Sequence, residues 1–181
     1  MGRLGRAAEV EIGVVGGEED GVKHEGTNDA LYTTTGDVAR FVEALGLGEN
    51  GRYIAALTFG NVHGVYKPGN VKLKPELLGE IQAGIAEKFG TGAKPLDLVF
   101  HGGSGSTPEE IALAVRNGVV KMNIDTDTQY AFTRVLKVDG EVGNKKAYDP
   151  RAWGKIAESA MAARVVEATQ QLGSAGHSIS A

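Results

Sequence analysis

The sequence predicts an α/β fold with parallel strands, because short apolar runs alternate with segments in which apolar residues recur at helical spacing. The polar, glycine-rich segments follow the strands, where barrels and open α/β sheets both place their sites. Four strand–helix units are recognisable, which is half of an eight-fold barrel. The 181 residues are also short against the roughly 250 of a complete barrel.

The predicted strands are the apolar runs, and an acidic glycine loop at 16–21 is expected to follow the first of them. A short helix is predicted from Val38, Phe41, Val42 and Leu45, which recur at helical spacing, and a second helix is entered through Pro75. The predicted strands cover 7–15, 53–59, 96–100 and 119–124; the predicted helices cover 37–45, 76–89, 109–117, a segment starting near Thr126, and 152–172.

Composition excludes several classes of protein. No run of 18 apolar residues is present, so no transmembrane helix is expected, and a formal charge of −4 provides no basic footprint for nucleic acid. Cysteine is absent and the N-terminus has no apolar segment of signal-peptide length, which favours a soluble, cytoplasmic protein.

His101 stands where the strand over 96–100 ends, beside the glycine-rich residues 102–106. Those glycines let backbone N–H groups approach an anion, and the next helix is expected to start with Thr107 as N-cap, Pro108 at N1 and Glu110 completing a capping box. His63 follows the strand over 53–59 in the same way, which suggests one metal shared by two imidazoles. Without cysteine the ligands must be nitrogen and oxygen, which suits zinc, with other divalent ions possible. The alternative is a pair of turn histidines bonded to solvent or backbone.

Two further segments carry polar residues in functional positions. Glu9 and Glu11 share one face of the first strand and are either solvated or functional, since inward carboxylates in a parallel sheet need a metal, a basic partner or water. At the end of the fourth strand, Asn123 and Asp125 point to one side, and the helix starting near Thr126 can bind a phosphate. The alternative is that Thr126 or Asp127 only caps that helix.

Five motifs, in this order, resemble the class II, metal-dependent fructose-bisphosphate aldolases: EVEIG at 9–13, GGEEDG at 16–21, GNVHGVYKPGN at 60–70, HGGSGS at 101–106 and NIDTDTQ at 123–129. The resemblance runs from about Glu9 almost to the C-terminus. It implies a TIM (β/α)₈ barrel, of which this chain is the C-terminal half, with about four βα units and a C-terminal helix. It also implies reversible cleavage of fructose 1,6-bisphosphate to dihydroxyacetone phosphate and glyceraldehyde 3-phosphate in glycolysis and gluconeogenesis, in a homo-oligomer without a Schiff-base lysine.

The resemblance assigns a role to each matching residue. His63 and His101 are the zinc ligands, Glu11 is a ligand at an alternative metal position, and Glu19 transfers a proton at the ketone-side carbon. A monovalent cation, Na⁺ or K⁺, is expected on backbone oxygens near Val62, Gly64, Gly102 and Ser104. Arg151 is expected to reach the second phosphate from a neighbouring subunit. The expected substrate-binding residues are Gly64, Lys67, Gly102, Gly103, Ser104, Asn123, Ile124, Asp125, Thr126 and Arg151.

Two departures from the family pattern stand beside these matches. The family's N-terminal half carries a third zinc histidine and an adjacent proton-transferring aspartate, and nothing before Ala7 resembles it, while His24 and His177 lie outside the motifs. Relatives also have additional residues within 133–137, which bears on the placement of Arg151.

The chain is therefore interpreted as one partial domain over 1–181, with tails at 1–6 and 173–181, and is expected to be inactive alone. A ketose-bisphosphate aldolase acting on another epimer such as tagatose is the alternative within the class. Outside it, the alternatives are a non-catalytic half-barrel that binds metal or phosphate and a subunit of a split enzyme.

Overall fold

The computed structural model describes residues 6–19, 22–24, 31–63, 72–138 and 149–178, with the side chains of 17–24, 63, 137 and 138 excepted. The chain forms two compact units, Met1–Asn123 and Ile124–Ala181. The interpretation of 1–181 as a single partial domain stays a prediction. In chain order the elements are β1 (Ala8–Ile12), β2 (Gly16–Glu19), β3 (Val22–His24), α1 (Thr35–Leu45), β4 (Tyr53–Leu57), β5 (Val62–His63), α2 (Glu76–Phe89), β6 (Leu98–Phe100), α3 (Pro108–Arg116), β7 (Val119–Met122), α4 (Thr126–Val138) and α5 (Pro150–Gln171).

The main sheet of the first unit has the strand order β1-β4-β6-β7, and all of its strand pairs are parallel. This arrangement confirms the α/β class and the four strands that the apolar runs predict. The strands are shorter than predicted, because ladder pairing covers only part of each apolar run: β1, β4 and β7 end earlier than predicted, and β6 begins two residues later. Their carboxyl ends therefore meet at one edge, as a parallel sheet requires.

A second, small sheet has the order β3-β2-β5, in which β2 runs antiparallel to β3 and parallel to β5. The prediction of a loop at 16–21 is wrong for its first four residues, because ladder pairing on both sides overrides the weak strand propensity of glycine and glutamate. The pairing sets Gly17 opposite His63, so the acidic segment starts beside the strand that carries this histidine.

The hydrophobic core lies between the helices and one face of the main sheet. Phe59 and Phe100 meet there edge to face, with ring centroids 4.7 Å apart. The opposite face, here called the inner face, carries Glu9, Glu11, Ile54, Ala56, Val99 and Lys121 in matching register. The core face is lined by Ala55, Leu57, Leu98, Phe100 and Val119 from the sheet, and by Val38, Val42, Leu78, Ile81, Ile85 and Ala114 from α1, α2 and α3.

The helices agree closely with the sequence prediction. α1 begins two residues earlier than predicted, because Thr34 and Asp37 form a reciprocal capping box before the first apolar residue of the helix. In the second unit α4 and α5 pack together, with Leu136, Ala157 and Ala168 buried. None of the helices in the described segments is long and apolar enough to cross a membrane.

Candidate functional site

His101 follows β6 directly, and both glutamates of β1 approach its ring. Nε2 lies 2.6 Å from Glu9 Oε1, and Nδ1 lies 3.9 Å from Glu11 Oε1. β4 runs between β1 and β6, so the glutamates of β1 reach His101 across this strand on the inner face. The structure thus places Glu11 near His101, and it places Glu9 still closer to the imidazole.

Lys121 completes this cluster from the opposite edge of the sheet. Its Nζ donates to Glu9 Oε2 at 2.5 Å, so the two oxygens of one carboxylate bind residues from two different strand ends. The Lys121 ammonium, and secondly the His101 ring, lower the pKa of Glu9 below its ordinary value. Glu9 is therefore an anion at neutral pH. The alternative of merely solvated glutamates does not hold for Glu9, which binds both of its neighbours on the inner face.

Asn61 holds the backbone of His101 in place. It is 1% exposed, accepts a hydrogen bond from the Phe59 N–H at 2.8 Å and donates to the His101 carbonyl at 3.0 Å. Sequence reasoning found Asn61 only as part of the motif at 60–70, and it missed both Asn61 and Lys121 as site residues. The sequence feature that could have identified Asn61 is its position between a strand end and the His63–Gly64 pair. For Lys121 it is a single cation within an otherwise apolar strand.

The glycine-rich segment after His101 forms one wall of a cavity of about 250 Å³. Gly102 and Gly105 both have positive φ angles, 61° and 88°, which side-chain-bearing residues rarely adopt. At the far end of the segment the Thr107–Glu110 capping box forms as predicted, with a Thr107 N–H to Glu110 Oε2 distance of 2.8 Å. The cavity lining consists of Gly60, Asn61, Val62, Leu73, Gly102, Ser104, Gly105, Ser106, Thr107 and Glu110.

In the second unit, Asp125 stands immediately before α4. Its carbonyl accepts from the N–H groups of Thr128 and Gln129, and its carboxylate accepts from the Gln129 amide at 2.8 and 2.9 Å. The residue at the start of the helix is therefore Asp125, and the alternative that Thr126 or Asp127 is the cap is wrong, because both already lie within α4. Thr126 and Ile124 are half-buried.

Arg151 lies at the start of α5 and is paired within its own turn. Its guanidinium binds both oxygens of Asp149, at 2.9 and 2.8 Å, while its side chain stays 89% exposed. This pairing lowers the pKa of Asp149 and raises that of Arg151. The predicted contact of Arg151 with a second phosphate stays a prediction.

Several predicted site residues lie outside the described part of the chain. The side chains of His63 and Glu19 are not described, nor are Gly64 and Lys67, so the expected closeness of the two imidazoles stays a prediction. Among the described side chains, no three histidine, aspartate or glutamate groups are arranged to hold a metal ion. The sequence also predicts that Ser104 and Thr126 line the same phosphate site; the two residues belong to different units, and this stays a prediction. Asn123 is exposed, with its N–H bonded to the Phe100 carbonyl, and Gly103 is buried beside the cavity.

Comparison with known proteins identifies the family. Residues 1–177 match the family described as fructose-bisphosphate aldolase class-II. The chain is 69% identical to the fructose-bisphosphate aldolase of Streptomyces coelicolor, covering 94% of this chain and 54% of that protein, and 59% identical to that of Mycobacterium tuberculosis H37Rv, again covering 94% and 54%. The crystal structure of the aldolase from Campylobacter jejuni matches with a TM-score of 0.75 at 41% identity, covering 95% of this chain and 53% of that one.

The chain thus spans about half the length of the relatives it matches. Its four parallel strands with their helices are part of a TIM barrel. The order of motifs, the strand topology and the sequence identity agree, and the chain belongs to the class II fructose-bisphosphate aldolase family.

Proposed function

We propose that this chain supplies half of a class II fructose-bisphosphate aldolase, which cleaves fructose 1,6-bisphosphate reversibly to dihydroxyacetone phosphate and glyceraldehyde 3-phosphate. The observation that carries the proposal is the convergence of Glu9 and Glu11 on His101, next to a glycine-lined cavity at the carboxyl ends of parallel strands. Family membership at 69% identity to the Streptomyces coelicolor aldolase supports it.

Class II aldolases depend on zinc, and the donor chemistry here fits that ion. His101 and Glu11 offer nitrogen and oxygen, and their 3.9 Å separation is too long for a hydrogen bond but within the sum of two zinc–ligand bonds of about 2.1 Å each. We assign His63 as a second imidazole ligand and Glu11 to an alternative metal position. Bound zinc supplies Lewis acidity, which stabilises the negative charge that develops on substrate oxygens as the carbon–carbon bond breaks.

The glycine-rich loop is assigned to the triose phosphate. Backbone N–H groups near Ser104, at the entrance to α3, are suited to an anion, and Gly102 and Gly103 keep side chains out of its way. We assign Lys67 and Arg151 to phosphate recognition, Arg151 from a neighbouring subunit, and a monovalent cation to nearby backbone oxygens. We also assign five further residues to substrate binding: Gly64, Asn123, Ile124, Asp125 and Thr126.

Glu19 is assigned to proton transfer at the ketone-side carbon. Its strand, β2, is hydrogen-bonded to β5, which carries His63, and Glu19 lies two residues beyond the paired Gly17. A carboxylate on a segment that covers the site can transfer a proton to or from the substrate, while the segment itself excludes water. The third zinc histidine and the aspartate that acts on the cleaved hydroxyl are assigned to a part of the enzyme that these 181 residues do not match. We also propose that the full-length enzyme is a cytoplasmic homo-oligomer.

The test is a full-length chimera, in which the part of the Streptomyces coelicolor aldolase that this chain does not cover is fused to its N-terminus. Cleavage is followed with fructose 1,6-bisphosphate and, in parallel, tagatose 1,6-bisphosphate. We expect zinc-dependent cleavage of the fructose substrate by the chimera, loss of activity in His101→Ala, and no measurable turnover from the 181-residue chain alone.

A folded chimera that cleaves neither substrate, or that is as active with His101→Ala as without it, would refute the proposal. Preference for tagatose 1,6-bisphosphate would correct the substrate. Turnover by the isolated chain at the level of the chimera would show that the proton-transfer groups are assigned to the wrong half.

A further inference from the structure

The ring of His101 has two different neighbours on its two nitrogens, and one of them determines which nitrogen carries the proton. We propose that Glu9 is a positioning residue that fixes His101 in the tautomer protonated on Nε2, with Lys121 holding Glu9 in the orientation this requires. The inference rests on the proposed function only in that it treats His101 as a metal ligand. It gives a chemical role to Glu9 and Lys121, which the proposed function leaves without one.

Glu9 can only accept hydrogen bonds when it is ionised, so the ring nitrogen that faces it at 2.6 Å must be the donor. A neutral imidazole with its proton on Nε2 presents Nδ1 as the acceptor, and Nδ1 is the nitrogen on the side of Glu11. Histidines that bind metals commonly donate their other N–H to a carboxylate, which orients the ring and raises its basicity.

Lys121 accounts for the orientation of Glu9. A glutamate side chain has several rotatable bonds and is free to turn away from the ring, but here its second oxygen is held by Nζ of Lys121 from β7. The carboxylate is thereby fixed at both oxygens, by the end of β6 on one side and by β7 on the other. β1, which carries Glu9, is the opposite edge strand of the same sheet, so the contact does not depend on a flexible loop.

A purely structural role is the competing explanation, because an ion pair between two strands could serve only to join them. Exposed ion pairs contribute little to stability, commonly below about 1 kcal/mol. The chain contains a matched pair of that kind, Lys88 with Glu43, at 2.6 Å and about half exposed, which joins α2 to α1 and touches no imidazole. Substitution of Lys88 is therefore the control for the loss of an ion pair as such.

The first measurement is the tautomer itself, from the ring ¹⁵N chemical shifts of the metal-free 181-residue chain in mildly alkaline buffer. The chain has four histidines, and His101→Gln assigns the relevant signals. We expect Nε2 protonation in the wild type, a mixture of both tautomers in Glu9→Ala, and the wild-type state in Lys88→Met. Protonation on Nδ1 in the wild type would overturn the inference without the use of any variant.

The second measurement is the dissociation constant of zinc from the 181-residue chain and its variants, determined by competition with a chromophoric chelator. We expect Glu9→Ala to raise it by about 10- to 100-fold, Lys121→Met to raise it by less, and Lys88→Met to leave it unchanged. Unchanged tautomer and unchanged zinc affinity in Glu9→Ala would refute the positioning role. A wild-type chain whose zinc affinity is insensitive to His101→Ala would instead refute the metal assignment of the proposed function, and the tautomer result would separate the two failures.

Discussion

Replacement of Asn61 by alanine tests the framework that holds His101. Its amide accepts from the Phe59 N–H at 2.8 Å and donates to the His101 carbonyl at 3.0 Å, and the side chain is buried. Alanine at this position leaves both backbone groups without their partner. The Phe59 N–H is enclosed, because Phe59 is fully buried, whereas water can reach the partly buried His101 carbonyl.

The expected cost follows from those two groups. An unsatisfied buried polar group costs about 1–3 kcal/mol, and since the carbonyl is partly solvated we expect about 2–4 kcal/mol in total for Asn61→Ala. With about 1.4 kcal/mol for each factor of ten, the protection of the Phe59 amide against hydrogen exchange should fall by roughly 30- to 1000-fold. The zinc affinity should fall as well, because the His101 backbone loses its anchor.

The assay is amide hydrogen exchange combined with urea unfolding. Asn123→Ala is the matched control, since this exposed asparagine follows the neighbouring strand β7, and it should change stability by less than about 0.5 kcal/mol. The Leu96 amide, which donates to Gln82 Oε1, reports on general destabilisation of the same unit. Unchanged exchange at Phe59 in Asn61→Ala, or a loss of stability no larger than that of Asn123→Ala, would refute the reasoning.

Three further outcomes are expected. Gly60→Ala should destabilise the chain more than Gly48→Ala in urea unfolding. Both glycines have positive φ, but a Cβ at Gly60 would lie 2.3 Å from the backbone oxygen of Lys72, whereas a Cβ at Gly48 would meet nothing. Equal losses of stability in the two variants would contradict this expectation. The hydrogen bonds of Asp37 with Thr34 lower the pKa of Asp37, so its carboxylate should stabilise α1 at a pH above the ordinary aspartate pKa and lose this contribution as the pH falls through the lowered value. The unfolding free energies of the wild type and Asp37→Asn should therefore differ by about 1 kcal/mol at pH 6 and converge in acid. In the chimera, Thr126→Ala should raise the KM for dihydroxyacetone phosphate in the condensation direction, and an unchanged KM would mean that Thr126 serves only its helix.

Local signals in the sequence were sufficient for much of the fold. The Thr107–Glu110 capping box predicts the start of α3, and Pro75 predicts the start of α2, because helix entry depends on residues within one turn of each other. The parallel order of the strands follows from the alternation of strands and helices. The pairing of β2 with β3 and β5 was missed, because it joins glycine and glutamate segments that have little strand propensity of their own.

In the candidate site, too, local features could be predicted from the sequence and contacts between distant residues could not. Strand alternation places Glu9 and Glu11 on one face, and the glycine-rich segment identifies His101 as a strand-end residue. The contacts of Glu9 with His101 and with Lys121 join residues 92 and 112 positions apart, and their existence depends on which strands are neighbours in the sheet. Asn61 likewise acquires its role only when β4 lies beside β6.

X-ray absorption at the zinc edge of the chimera tests the central claim most directly, because it counts the imidazole ligands of the bound ion. The account predicts several histidine ligands in the wild-type chimera and one fewer in His101→Ala, with the number unchanged in Lys88→Met. An identical zinc environment in the wild type and in His101→Ala would contradict the claim that this strand-end histidine binds the catalytic metal.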